Sequence, residues 1–162
     1  MTVLWHFSED PSLGRFAPRD GKVWAIADAY SWLYWFPRDC PRACFWAVHT
    51  TTHDDVDLWL DGDERRRVAV IESTWLERLR SVTLYAYQMP REPFALVEDE
   101  RFYIASTTVD ALECVEVGDL LARHAEAGIE LRIAPALYPL WDRVTATSLD
   151  FSGIRLRNAV RG

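Results

Sequence analysis

The fold is decided by the stretch Val82-Thr83-Leu84-Tyr85-Ala86-Tyr87, in which Val82, Leu84 and Ala86 alternate with the other three side chains. A period of two is typical of a strand that covers a core with one face. Two further strands are predicted close behind, at 102–104 and 112–117, around a turn near 107–110. Strands that follow one another without intervening helices favour antiparallel pairing. The stretch therefore predicts an α+β fold with a mainly antiparallel sheet.

The rest of the chain adds strands and short helices to this plan. Buried or alternating runs predict strands at 3–8, 23–26, 44–48, 68–71, 129–133 and 151–160. Helical patterns are found at 54–60, 75–79, 119–127 and 137–144. We predict a single domain over residues 1–162, with a split sheet and a few short helices, because a chain of this length is one domain by size.

The predicted helix between Asp28 and Pro37 is rich in aromatic side chains. Asp28 is the predicted N-cap, and Pro37 ends the helix. A segment that is apolar nearly all round is expected to be buried. Its aromatic and apolar residues are Tyr30, Trp32, Leu33, Tyr34, Trp35 and Phe36.

Composition and charge exclude several function classes. The formal net charge is −7 with a pI near 5.1, which argues against general binding to a phosphate backbone. No apolar run reaches the ~20 residues that a membrane span needs. Three cysteines and no export signal predict a cytoplasmic protein without a disulfide framework. We therefore expect a small-molecule or nucleotide ligand, with no nucleic acid and no membrane.

His6 lies between Trp5 and Phe7 in the opening strand. A polar ring among bulky apolar neighbours needs a partner or a task. One interpretation is a histidine that is hydrogen-bonded to a backbone carbonyl at a strand end. The other is a ligand-binding histidine at the mouth of a cleft.

Two other clusters contain side chains of the types that bind ligands or take part in reactions. Arg38, Asp39 and Arg42 form a turn framed by two prolines, and guanidinium groups on a rigid backbone suit phosphate or carboxylate binding. The alternative is an Arg–Asp pair that fixes the turn. The acids Glu98, Asp99 and Glu100 precede a predicted strand, where a carboxylate either bonds a ribose hydroxyl or belongs to a solvated loop.

Cysteine and histidine side chains also recur between residues 40 and 53. Cys40, Cys44, His49 and His53 are residue types that zinc accepts. The gap between the two pairs is much shorter than in a zinc finger, and the predicted strand at 44–48 holds the pairs apart. We predict no metal.

End to end, the chain resembles an uncharacterised bacterial family. The sequence boxes that carry this resemblance are His6–Pro11, Val23–Ile26, Phe36–Arg42 and Ser152–Ala159. We know of no activity for that family, so this resemblance implies none.

A second resemblance is to the ADP-ribosyltransferase fold in its His-Tyr-Glu branch. In that branch, a histidine at the end of the first strand binds the NAD ribose, aromatic side chains sandwich the nicotinamide, and a glutamate begins a later strand. The similar residues here are His6, then Trp24, Tyr30 and Tyr34, and then Glu100. Trp24 stands where the branch has tyrosine. The resemblance implies NAD as substrate, with Glu100 and His6 as catalytic residues.

The first functional hypothesis is therefore an ADP-ribosyltransferase-like protein that binds NAD or a related nucleotide. His6 would bond the ribose, Trp24, Tyr30 and Tyr34 would stack on the nicotinamide, and Arg38 would add a cofactor contact. Glu100 would stabilise the oxocarbenium ion. The alternatives are a non-enzymatic small-ligand-binding module and a protein-interaction domain whose aromatics are core and interface. The sequence leaves enzymatic activity open.

Overall fold

The computed structural model describes residues 1–97 and 99–161. The chain divides into two compact units, each built from two segments: unit 1 is Met1–Arg38 with Val82–Gly118, and unit 2 is Asp39–Ser81 with Asp119–Gly162. Among the described residues, unit 1 combines strands with one 3₁₀ helix and unit 2 combines strands with four short α-helices, which confirms the predicted α+β class. The prediction of a single domain stays a prediction.

The strands and helices are numbered in chain order. The strands are β1 (Leu4–Ser8), β2 (Arg15–Phe16), β3 (Val23–Ala27), β4 (Arg42–Trp46), β5 (Arg67–Glu72), β6 (Tyr85–Met89), β7 (Ala95–Leu96), β8 (Phe102–Ala105), β9 (Val109–Asp110), β10 (Glu113–Glu116), β11 (Ile129–Ala134) and β12 (Asp150–Ile154). The α-helices are α1 (His53–Leu60), α2 (Leu76–Ser81), α3 (Leu120–Glu126) and α4 (Tyr138–Val144), and 3₁₀ helices span Asp28–Tyr34, Ser73–Trp75 and Leu156–Asn158.

Unit 1 is built on a six-stranded antiparallel sheet in the order β10-β6-β1-β3-β8-β7. Because side chains alternate along a strand, Leu4, Ala25 and Tyr87 share the face that carries the core. The short β2–β9 pair adds Phe16 and Val109 to this core. This sheet confirms the antiparallel pairing that was predicted from the alternating stretch at 82–87.

Unit 2 contains a four-stranded sheet in the order β11-β5-β4-β12. Among the strand pairs of the described residues, only β5 with β11 is parallel. Central strand β5 is buried along nearly its whole length, and Phe45, Leu60, Val70 and Leu137 belong to the core of this unit. Within the described residues, no helix combines the length and the apolar character that crossing a membrane requires.

Three local expectations are corrected. The aromatic helix is 3₁₀ rather than α, and Asp28 does not cap it, because its carboxylate accepts a hydrogen bond from the Trp5 indole N–H at 2.6 Å. Burial of the helix is confirmed, with Trp32 at 2% and Phe36 at 1% exposure. Strand β6 runs to Met89, since it pairs with the whole of β1. The last strand ends at Ile154, because Arg155 adopts a left-handed conformation with φ of 56°.

Candidate functional site

A groove in unit 1 brings together two of the residues predicted to bind ligand, Glu100 and Tyr30. It has a volume of about 510 Å³, and Tyr103, Asp28 and Leu96 also line it. We call it the Glu100 groove. No Arg or Lys lines this groove in the described part of the chain. Glu100 and Tyr30 therefore line a space that suits a flat, positively charged ligand.

Backbone hydrogen bonds hold the elements that form the groove. The Ala27 N–H donates to the carbonyl of Arg101 at 2.8 Å, and the Asp28 N–H donates to the carbonyl of Val3 at 2.9 Å. The first bond joins the end of β3 to the turn that contains Glu100. The second joins the start of the 3₁₀ helix, which carries Tyr30, to the residue before β1. The groove is thus built where three neighbouring strands begin or end.

The two described acids of the cluster at 98–100 have different environments. Asp99 is engaged locally, because its carboxylate accepts from the Arg101 backbone N–H at 3.0 Å and pairs with the Arg101 guanidinium at 2.9 Å. Glu100 is exposed and lines the groove. Glu98 lies outside the described residues. Of the two described acids, Glu100 is the one that reaches the groove.

His6 makes the backbone contact that the first interpretation predicted. Its Nδ1 lies 3.0 Å from the carbonyl oxygen of Trp24, and its ring centroid lies 4.7 Å from that of Phe16. A carbonyl can only accept, so Nδ1 carries the hydrogen and Nε2 is an acceptor in the neutral ring. Burial lowers the pKa of His6, and the charges of Arg38 and Arg19 lower this pKa further. His6 is therefore neutral at pH 7.

The bond from His6 marks a divergence of two central strands. The β1–β3 ladder contains only the pairs Leu4 with Ala27 and Trp5 with Ile26, although each strand has five residues. Beyond these pairs, the imidazole of His6 takes up the Trp24 carbonyl. Strands β1 and β3 nevertheless remain neighbours in one six-stranded sheet, so the split of the sheet stays a prediction.

Trp24 and Tyr34 lie on the other face of the same sheet. The rings of both residues meet Phe102 edge to face, with centroid distances of 6.1 Å from Trp24 and 6.2 Å from Tyr34. Trp24 is 46% exposed, and the Lys22 ammonium lies 5.6 Å from its ring centroid. The His6 ring instead packs on Phe16, on the core face. One flat ligand therefore cannot stack on Trp24 and contact His6 from the same side of the sheet.

The two arginines of the proline-framed turn have different environments. Arg38 is exposed, and its backbone N–H donates to the Glu9 carboxylate at 2.9 Å. Arg42 is only 2% exposed, and its guanidinium donates to the carbonyl of Cys40 at 3.0 Å. Arg42 therefore does not present its guanidinium at the surface, because the start of β4 is buried.

The two cysteines are buried, whereas the two histidines of the predicted cluster are exposed. Burial raises the pKa of Cys40 and of Cys44 to about 12, so both are neutral thiols at pH 7. His49 and His53 are exposed. Across residues 1–97 and 99–161, no three His, Cys, Asp or Glu side chains are grouped to hold a metal ion. The absence of zinc stays a prediction.

A second groove, in unit 2, has a volume of about 630 Å³. Its lining includes both exposed histidines together with Asp57, Asp63 and Glu64. His53 and Asp57 are four residues apart on α1 and share one face of that helix. Sequence reasoning missed this groove, since only the helical spacing of these two residues signalled it.

Residues 5–159 match the model of a family of unknown function (DUF6886). The chain belongs to this family. No curated protein and no solved structure matches the chain. The family match covers every candidate residue from His6 to Glu100 and all residues lining the groove of unit 2. Membership in DUF6886 agrees with the predicted uncharacterised family, and it assigns no activity to these residues.

The structure also adds residues to the candidate site that the sequence did not single out. Tyr103 and Asp28 line the Glu100 groove beside the two predicted residues. The alternation of Phe102-Tyr103-Ile104 was a usable signal for Tyr103, because the middle residue of such a run faces opposite to its neighbours. No sequence signal indicated that the Asp28 carboxylate would turn from the helix end towards Trp5.

Proposed function

We propose that unit 1 binds NAD or a related nucleotide in the Glu100 groove, as an ADP-ribosyltransferase-like protein. The observation that carries this proposal is the convergence of Glu100 and Tyr30 on one groove. These residues are 70 positions apart, and the sequence singled them out separately as an acid and a stacking aromatic. The neighbouring order β1-β3-β8 also brings the strands of His6 and Trp24 beside the one that follows Glu100.

The chemistry of the groove favours the nicotinamide riboside half of the ligand. An N-substituted nicotinamide is a flat cation, and the electron-rich ring of Tyr30 would attract such a cation. The carboxylates of Glu100 and Asp28 add electrostatic attraction. Since no Arg or Lys lines the described groove, the phosphates would extend away from it. Nicotinamide mononucleotide is therefore the smallest informative probe.

The reaction in this proposal is cleavage of the bond between nicotinamide and ribose. As that bond breaks, its electron pair leaves with nicotinamide and positive charge develops on the ribose carbon. The Glu100 carboxylate would stabilise this charge, and water would then add to the same carbon through its oxygen and release one proton to the solvent. Tyr30 would orient the leaving ring. The role of His6 in ribose binding is a separate prediction, because His6 does not line the groove in the described residues.

The test combines calorimetric titration of NAD with an assay for released nicotinamide. We expect binding at millimolar NAD that Tyr30→Ala weakens. We expect Glu100→Gln to spare binding and abolish slow hydrolysis, because it keeps the shape and removes the charge. Glu92→Gln is the matched control, since Glu92 is an exposed acid that does not line the groove.

Three outcomes are decisive. Wild-type protein that binds neither NAD nor nicotinamide mononucleotide at millimolar concentration would end the proposal. Binding without hydrolysis, unaffected by Glu100→Gln, would leave the non-enzymatic ligand-binding module as the better account. Weaker binding by His6→Ala would add His6 to the site, and unchanged binding would remove it.

A further inference from the structure

Two cations face each other across a tight hairpin in unit 1. Arg19 and Lys22 form an isolated antiparallel bridge, and the backbone N–H of each donates to the carbonyl of the other, at 2.9 Å and 3.0 Å. The two residues between them have positive φ, 51° at Asp20 and 75° at Gly21. An Asp-Gly sequence favours this two-residue hairpin turn. The side chains of Arg19 and Lys22 therefore project from the same face of the hairpin.

Neither cation of this hairpin has a carboxylate partner. Within the described residues, the Arg19 guanidinium makes no ion pair or hydrogen bond, and the Lys22 ammonium has only the Trp24 ring as its partner. Asp20, at the tip of the turn, makes no ion pair in that part of the chain either. Like charges directly opposite each other in an antiparallel pair are destabilising. The hairpin thus concentrates positive charge that the protein does not compensate.

Other arginines of this acidic chain do pair with acids. The sequence has 18 Lys and Arg against 25 Asp and Glu, so carboxylate partners are abundant. Ion pairs with N–O distances of 2.7 to 2.9 Å are made by Arg15, Arg66, Arg101 and Arg132. Two adjacent cations without an acid favour an external anion as their partner, because a bound anion offsets the repulsion between them.

An exposed indole lies beside the two cations. Trp24 follows Lys22 by two residues, which places both side chains on one face of the sheet. The Lys22 ammonium lies 5.6 Å from the Trp24 ring centroid, and Trp24 is 46% exposed. Phe102 meets the indole edge to face at a centroid distance of 6.1 Å and holds it in place. An exposed indole beside two cations suits a ligand that carries both a flat ring and a phosphate.

We propose that Arg19, Lys22 and Trp24 form a binding site for a nucleoside phosphate. The Arg19 guanidinium offers a planar fork to two phosphate oxygens, and the Lys22 ammonium supplies a point charge. The base stacks on the Trp24 indole, because every base has a π-face that an aromatic side chain can contact. Binding moves the Lys22 ammonium from the indole to the phosphate, which uncovers the ring for the base.

This site is separate from the Glu100 groove. None of its three residues lines that groove in the described part of the chain. The formal net charge of −7 opposes a long phosphate backbone, so the occupant is a mononucleotide rather than a nucleic acid strand. Adenosine monophosphate contains no nicotinamide. It therefore tests this site independently of the function proposed for the Glu100 groove.

Calorimetric titration compares adenosine monophosphate with its two parts, adenosine and inorganic phosphate. We expect the nucleotide to bind at millimolar concentration, about tenfold more tightly than either part, because each part makes only half of the contacts. Added salt should weaken this binding, since the two cations are exposed. No binding of the nucleotide at millimolar concentration would overturn the proposal, and so would equal affinities for adenosine and the nucleotide.

Single substitutions locate the site. We expect Arg19→Gln and Lys22→Gln each to weaken nucleotide binding about threefold, because exposed charge pairs contribute modestly. Trp24→Ala should weaken it about tenfold, because stacking contributes more. Arg157→Gln is the matched control, since Arg157 is an exposed arginine of unit 2. Equal weakening by Arg157→Gln and Arg19→Gln would contradict the proposal.

A charge reversal separates binding from folding. Lys22→Glu sets a carboxylate opposite Arg19, which replaces repulsion across the hairpin by attraction. We expect this variant to lose nucleotide binding while its melting temperature is unchanged or higher. Nucleotide binding that Lys22→Glu leaves intact would overturn the proposal. Binding that Tyr30→Ala weakens and Lys22→Glu does not would overturn it as well, because it would place the nucleotide in the Glu100 groove.

Discussion

Replacing Tyr87 with phenylalanine removes one hydroxyl and keeps the ring. In the wild-type protein this hydroxyl donates to the carbonyl of Asp10 at 2.6 Å and accepts from the Leu13 N–H at 3.1 Å. Tyr87 is 1% exposed, and its ring meets Phe16 at a centroid distance of 5.3 Å. The hydroxyl therefore ties the loop after β1 to the core of unit 1.

The magnitude follows from these two bonds. The ring contact with Phe16 is retained, so the variant creates no large cavity. Each lost hydrogen bond is worth about 1 kcal/mol net, which gives about 2 kcal/mol for Tyr87→Phe. For a chain of this size, that loss lowers the melting temperature by about 4–8 °C.

Urea unfolding followed by tryptophan fluorescence measures this loss. Tyr85→Phe is the matched control, because it deletes the same atom on the same strand, and the Tyr85 hydroxyl makes no hydrogen bond within the described residues. We expect the control to change the free energy of unfolding by less than about 0.5 kcal/mol. Equal losses in the two variants would refute the reasoning.

The same hydroxyl gives a pH signature. Burial, together with the hydrogen bond to the Cys114 thiol, raises the pKa of Tyr87 to about 12. Because the folded protein holds this proton more tightly than the unfolded chain, the stabilising contribution is complete below about pH 10 and is lost as the pH rises towards 12. Tyr87→Phe should show a shallower alkaline loss of stability than the wild-type protein, the remaining slope coming from the buried thiols of Cys40 and Cys44. The same alkaline slope in both proteins would contradict the assignment.

Three further outcomes are expected. Trp32→Ala should lower the free energy of unfolding by about 3–5 kcal/mol, because the ring is 2% exposed, and an unchanged denaturation midpoint would refute this. Gly153→Ala should destabilise by about 1–3 kcal/mol, since a Cβ there would lie 2.6 Å from the Trp141 ring, whereas Gly14→Ala has open space and should change little on thermal melting. His6→Gln should reduce the loss of stability as the pH falls below about 6.5, because the lowered pKa of His6 makes protonation unfavourable in the folded state, and identical acid titrations would count against it.

Much of the strand pattern could be predicted from the sequence, because a period of two is a local property. Strand β8 begins at Phe102 as expected, and α3 is capped by the Asp119 side chain, which accepts from the Ala122 N–H at 3.1 Å. The register in which two strands pair depends on residues that are far apart in the sequence. The shift of β6 to Tyr85–Met89 depends on its ladder with β1, which no window of sequence contains.

The candidate site shows the same limit. That Glu100 and Tyr30 line one groove depends on the neighbouring order of β1, β3 and β8. That the side chains of His6 and Trp24 lie on opposite faces depends on the β1–β3 register, which pairs Leu4 with Ala27. Asp99, in contrast, could have been assigned to the turn from sequence, because an aspartate commonly accepts from the N–H two residues on.

The central claim is that nicotinamide nucleotides bind in the Glu100 groove. The most direct test is a titration of isotope-labelled protein with nicotinamide mononucleotide, followed by backbone amide chemical shifts. We predict saturable shifts that are largest at Asp28, Tyr30 and Glu100, and that Tyr30→Ala weakens. No shifts at millimolar ligand, or the largest shifts at His49 and His53 in the groove of unit 2, would contradict the account.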